Sequence, residues 1–205
     1  MEIALISNAI IFFFAGFDTS STSLAVAIFS FISNPSIQEK ARKEIEDVIG
    51  DTENITPDQL KELKYTENCI NEALRFYGLI SSLQRVCTKD YKIPGSDFTI
   101  PKGMPVTIYG KLFAKDCFFD ADKFNPDNFA PENNPNKFGF AGFGQGPRNC
   151  IGTRYAYMTL KLALVHTLRK YKLVKCEETV EKLEFEISKN YFKGGIKFKV
   201  EPLVL

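Results

Sequence analysis

The chain has 205 residues, of which 44% are hydrophobic and 25% charged, so it carries enough apolar material for a packed core and is neither disordered nor collagenous. Its 26 Lys and Arg balance 25 Asp and Glu, for a formal charge of +1, which argues against nucleic acid as a partner. Five scattered cysteines, with no CxxC pair, argue against a disulfide framework or a zinc site and fit a reducing compartment better, and the single histidine, His166, excludes two-histidine metal chemistry.

Residues 1 to about 33 are apolar nearly all round and predict one long buried helix of about 50 Å, ended by Asn34-Pro35. The opening "MEIALISNAIIFFFAGF" has the apolar run of a signal peptide, but Glu2 stands where a basic segment belongs, and Asp18-Thr19 close the run early. A helix of this length has to pass through the middle of a larger body, which leads us to expect further sequence before Met1. The next segment, "SIQEKARKEIEDVIG", has amphipathic spacing, with Ser36 as the expected cap and Gly50 as the stop. "NITPDQLKEL" predicts a short capped helix with Pro57 in its first turn, and "YTENCINEALRFYG" another that ends at Gly78.

From Leu83 onward, short β-type runs alternate with Pro-Gly and Lys-Gly turns and predict small edge strands. Residues 116 to 149 read as a long irregular stretch, of a length that is usually functional. A helix follows Cys150 with Tyr157, Leu160, Leu164 and Leu168 near one face; His166 is an ordinary member of it. The tail alternates and carries Gly194-Gly195, as a β-hairpin would. The fold class is therefore mainly α with small β-sheets.

The most informative stretch is "FGFAGFGQGPRNCIG". Cys150 sits where a glycine-rich loop meets a helix, so the helix dipole and unpaired N–H groups point toward its sulfur, a setting that suits a sulfur ligand. Gly144, Gly146 and Gly152 remove side chains where the backbone must approach something flat or bulky, and Pro147 fixes the turn. A free cysteine is more commonly a small buried hydrophobe, so the thiol alone decides nothing. The combination Phe143-x-x-Gly146-x-Arg148-x-Cys150-x-Gly152 resembles the haem-binding loop of the cytochrome P450 family.

That resemblance implies haem b (iron protoporphyrin IX), with Cys150 as axial ligand of the iron. It further implies that Arg148 pairs with a propionate and that Phe143 shields the sulfur beside Gly144 and Gly152. Glu72 and Arg75, three apart on one helix face, resemble the family's ExxR motif, although such a pair taken alone is more often a solvated salt bridge. Their usual third partner is an Arg or His; here the segment reads Pro126-Asp127-Asn128-Phe129, and uncharged Asn128 implies a looser meander. Phe113 falls about where relatives often place a histidine.

"AGFDTS" resembles the family's oxygen-activation segment. Asp18 and Thr19 would relay protons, with Ala15 and Gly16 beside the haem and Gly16 opening a groove; the plain alternative is a polar break satisfied by backbone hydrogen bonds. Arg85 matches an arginine that contacts a propionate, and "GLISSL", residues 12–15 and the turn at Tyr191-Phe192 match substrate-pocket segments.

The resemblance covers essentially the whole chain but only the C-terminal portion of the family pattern, without the N-terminal anchor and early helices. It implies a monooxygenase at the cytosolic face of the endoplasmic reticulum membrane, in the neighbourhood of microsomal animal and insect enzymes. Such an enzyme acts on a lipophilic substrate with O2 and electrons from NADPH through NADPH-cytochrome P450 reductase. Two other readings remain: a truncated, non-catalytic chain that binds haem without a complete pocket, and a helical interaction domain with a redox-sensing Cys150.

Overall fold

The computed structural model describes residues 2–78, 82–109, 117–118, 120–133, 139–186 and 191–203. Helices dominate: α1 (Glu2–Ser33), α2 (Pro35–Ile49), α3 (Pro57–Glu62), α4 (Lys64–Tyr77) and α5 (Thr153–Leu168). Among the described residues, four small antiparallel sheets accompany them. β1 (Ser82–Val86) pairs with β4 (Pro105–Tyr109), β2 (Tyr91–Lys92) with β3 (Thr99–Ile100), β5 (Tyr171–Val174) with β8 (Lys199–Pro202), and β6 (Phe185–Glu186) with β7 (Tyr191–Phe192). Short 3-10 turns at Pro126–Phe129, Pro131–Asn133 and Gly146–Arg148 punctuate the irregular stretch.

The expectation of a long buried helix holds only for the second half of α1. Val26, Ala27, Phe29, Phe31 and Ile32 are buried, whereas Ile3, Phe13 and Phe17 are 81%, 70% and 67% exposed. The cause lies in the neighbours: α2, α4, α5 and β5 pack on α1, and among the described residues they cover its C-terminal part alone. α1 is long and apolar enough to cross a membrane by length and composition; its most apolar stretch is unburied, and its last turns pack against α4 and α5. The core there joins Phe31, Ile45, Leu63, Ile70, Leu164 and Leu168. Each such side chain contributes about 1.5–3 kcal/mol by leaving water.

The helix ends have identifiable causes. α2 starts two residues earlier than a Ser36 cap suggests, because Pro35 takes the first helical position and Asn34 becomes the N-cap, its side chain donating back to the Ser30 carbonyl at 2.9 Å. α3 carries a full capping box between Thr56 and Gln59. α4 ends at Gly78 in the left-handed conformation, whose N–H reaches the Leu74 carbonyl. Its start is capped from another helix: Glu44 of α2 accepts from the Tyr65 N–H at 2.6 Å, the Thr66 N–H at 2.8 Å and the Thr66 hydroxyl at 2.7 Å. A carboxylate at a helix amino end satisfies orphan donors and meets the positive end of the dipole.

The tail departs from a simple hairpin about Gly194-Gly195. β7 pairs back to β6 and β8 crosses to β5, so the two positive-φ glycines link two separate sheets. All five cysteines are free, and His166 is exposed on α5.

Burial of tyrosines sets an alkaline limit. Tyr77, whose ring meets Phe29 edge-on at 5.8 Å, is pushed up to about 12 by burial, with a hydrogen bond to Ser30 pulling the other way. Burial, followed by neighbouring anionic groups, raises Tyr65 further. An unfolded tyrosine ionises near pH 10, so between roughly pH 10 and 12 the folded chain holds protons that the unfolded chain loses. Stability is therefore expected to be insensitive to these groups below pH 10 and to fall as pH rises above it. The part of the phenolate absorbance that Tyr77→Phe removes should appear together with the loss of far-UV circular dichroism; its appearance near pH 10 with helicity intact would refute this.

Candidate active site

The loop before α5 closes on itself. The Cys150 N–H donates to the Phe143 carbonyl at 2.8 Å, Gly144 N–H to Ala141 at 2.9 Å, and Asn149 N–H to Gly146 at 3.1 Å. Two glycines have firm reasons. Gly144 has φ +71°, a conformation that side chains resist, and a Cβ on Gly142 would lie 2.4 Å from the Phe140 ring. Gly152 is different, since a Cβ there would sit 3.8 Å from the Cys150 sulfur, in ordinary contact, and it spares the space beside that sulfur.

Cys150 is exposed, two residues before the Gly152 N-cap of α5, and its carbonyl accepts from the Thr153 hydroxyl at 2.9 Å. The first amides of α5 lack intrahelical partners, which makes this end electropositive. Arg148 is exposed on the 3-10 turn beside it. Arg85, on β1 opposite Val106, donates to the Gln145 carbonyl at 3.3 Å, which brings the two arginines to one loop. Phe143 is half-buried, with its ring 4.9 Å from that of Tyr157 on α5.

Below this loop lies a buried ionic cluster. Glu72 and Arg75 form a two-pronged pair, Nε to Oε2 at 2.6 Å and Nη2 to Oε1 at 2.7 Å, with side chains 0% and 4% exposed. Arg75 also donates to the carbonyls of Ala121 at 2.9 Å and Lys123 at 3.2 Å. Glu72 Oε1 accepts from the Asn125 N–H at 2.7 Å and the Asn128 amide at 3.4 Å. The pair is thus no solvated salt bridge; it anchors the irregular stretch to α4. Buried Asn128 occupies the third-partner place with a long, neutral bond, while the Asn125 backbone takes the short one. Phe129 meets Phe140 at 4.9 Å and connects this cluster to the cysteine loop.

The other expected site residues stand on α1. The helix is regular through Ala15 and Gly16, and a Cβ on Gly16 would meet open space, so glycine opens no groove within these residues. The Thr19 hydroxyl donates to the Ala15 carbonyl at 2.6 Å, and Thr22 and Ser21 donate to the Asp18 carbonyl at 2.9 and 3.0 Å. Asp18 is half-buried. A cavity of about 640 Å3 lies between the second half of α1 (Thr22, Leu24, Ile28) and the tail (Phe192, Ile196, Phe198). Phe113, half of "GLISSL" (Leu79, Ile80 and Ser81) and the Tyr191 side chain fall outside the described residues.

The sequence profile described as Cytochrome P450 matches residues 3–197. The chain belongs to the cytochrome P450 family. Cytochrome P450 3A7 of Homo sapiens is 35% identical over 208 residues, covering 100% of this chain and 40% of that protein. Cytochrome P450 6a9 of Drosophila melanogaster is 37% identical over 205 residues, covering 95% and 40%, and cytochrome P450 3A19 of Capra hircus aegagrus is 32% identical over 208 residues, covering 100% and 92%. The chain therefore spans about 40% of the length of the human and fly cytochromes P450.

P450 enzymes are haem monooxygenases, and the donor set here fits that group. Among the described residues no three His, Cys, Asp or Glu gather into a metal cluster, but haem asks for one axial ligand, which exposed Cys150 offers. Carboxylate side arms of a haem would find Arg85 and Arg148 at the same loop.

Sequence reasoning missed Glu44, Asn125, Lys161 and the bond between Tyr157 and Asn71. Only Lys161 left a trace, as a charge on the apolar stripe of α5. Its Nζ is buried, donating to the Leu60 carbonyl at 2.9 Å and to Glu67 at 2.5 Å.

Proposed function

We propose that this chain provides the haem-thiolate side of a monooxygenase that places one oxygen atom of O2 into a lipophilic substrate. The observation that carries the reading is the exposed Cys150 sulfur, held by a closed loop at the amino end of α5. Haem, when bound, supplies O2 activation with electrons from NADPH, delivered by NADPH-cytochrome P450 reductase. Cys150 would hold the iron, Arg85 and Arg148 would hold the carboxylates, and Phe143 would shield the sulfur once the group is bound. Gly144 and Gly152 would leave the loop room for the group, and Ala15 and Gly16 would line its site from α1. Glu72, Arg75 and Asn128 keep the loop's support in place.

Asp18 and Thr19 move protons in this reading. Thr19 must first turn its hydroxyl away from the Ala15 carbonyl, which holds it at 2.6 Å. Apolar walls beside the turn at Phe192 suit a lipophilic substrate. The parent enzyme would work at the cytosolic face of the endoplasmic reticulum membrane.

The decisive experiment is the reduced, carbon monoxide-treated absorption spectrum of the chain reconstituted with haem, beside Cys150→Ala. A far-red-shifted Soret band, lost in the variant, is expected; a band unchanged by the substitution would overturn thiolate ligation. A second reading, a haem-binding chain without turnover, is favoured by the exposed apolar first half of α1, since such patches drive association. It predicts the same spectrum from an associated chain with no product.

A further inference from the structure

A loop whose turns depend on positive-φ glycines is soft unless something outside it fixes its height, and the hydrogen bonds within it leave that height open. Two adjacent residues of α4 face this problem. Glu72 braces the irregular stretch, as described above. Asn71, itself buried, accepts at 2.6 Å from the hydroxyl of Tyr157 on α5.

We propose that Tyr157 is a positioning residue for the cysteine loop: its bond to Asn71 holds its ring under Phe143 and thereby sets where Cys150 stands. The path is continuous. Asn71 fixes the Tyr157 oxygen, the Tyr157 ring lies 4.9 Å from the Phe143 ring at 51°, and the Phe143 carbonyl receives the Cys150 N–H at 2.8 Å. Phenylalanine at 157 would keep the ring contact but leave it free to slide and tilt. Burial keeps the phenol protonated well past its ordinary range, so it stays a donor into alkaline solution. The consequence for the iron ligand rests on the haem-thiolate reading; the mechanical link itself does not.

The test separates the two. Amide hydrogen exchange is followed in the full 205-residue chain without haem, for wild type, Tyr157→Phe, Asn71→Leu and the double variant. Tyr157→Phe is expected to speed exchange at the Cys150 amide roughly tenfold, the size of one lost buried bond, with α2 amides little changed. The double variant leaves no unpaired polar group, so it should regain thermal stability over Tyr157→Phe while the loop stays fast. Unchanged exchange at Cys150 in Tyr157→Phe, or loop protection that returns together with stability, would overturn the proposal.

Haem is then added to the same four proteins and to Cys150→Ala. If the loop responds as expected and even wild type gives no thiolate spectrum, the haem reading fails and the positioning link stands. If wild type gives the spectrum and Tyr157→Phe leaves both loop exchange and the band unchanged, the link fails and the haem reading stands.

Discussion

Replacing Glu72 with alanine is expected to lower the unfolding free energy by about 3–5 kcal/mol, because it strands a buried guanidinium. Arg75 is 4% exposed and among the described residues would keep two backbone carbonyls as acceptors, while the Asn125 N–H and the Asn128 amide would lose theirs. Asp58 and Lys61 are an instructive control. They have the same i, i+3 spacing and the same 2.6 Å separation, yet their side chains are 89% and 69% exposed. Water replaces either partner there, and Asp58→Ala should lower stability far less than Glu72→Ala. Urea unfolding of both variants decides the matter; equal losses would mean that water reaches the Glu72–Arg75 pair and that it does not anchor the irregular stretch.

The second large effect is asymmetric. Lys161 is 3% exposed and Glu67 is 35% exposed. Glu67→Ala leaves the ammonium group in the core with, among the described residues, the Leu60 carbonyl as its acceptor, and we expect a loss of about 2–4 kcal/mol, reduced from a fully buried case by the water Glu67 already meets. Lys161→Met keeps the length of the side chain and removes the charge, and Glu67 rehydrates at the surface. That change should cost about 1 kcal/mol or less. Thermal unfolding of the two proteins gives the order directly, and a costlier Lys161→Met would place the stability in the hydrogen bond to Leu60 instead.

Local signals carried most of what the sequence revealed. The Thr56 capping box, the Gly78 stop and the cysteine loop are written within a few consecutive residues, and each lies where its local chemistry requires. Glu72 and Arg75 were legible as a pair but not as a buried one, because burial depends on Phe118 and Phe124 arriving from elsewhere in the chain. Glu44 was invisible for a related reason, since its partners belong to another helix. Ser36 misled through a rule that Pro35 overrode. Gly194-Gly195 misled because a turn signal states that the chain bends and not which strand it then meets. The apolar first half of α1 shows the limit of composition, which marks residues suited to a core without saying what covers them.

The Glu44 contact also bears on the order in which the chain can assemble. Glu44 reaches Tyr65 across 21 residues, whereas Lys161 meets Leu60 across 101. The longer closure costs about 1.4 kcal/mol more chain entropy. Meeting of α2 and α4 is therefore the cheaper early event, so the shelf that carries Asn71, Glu72 and Arg75 can exist before the cysteine loop has been brought to rest on it.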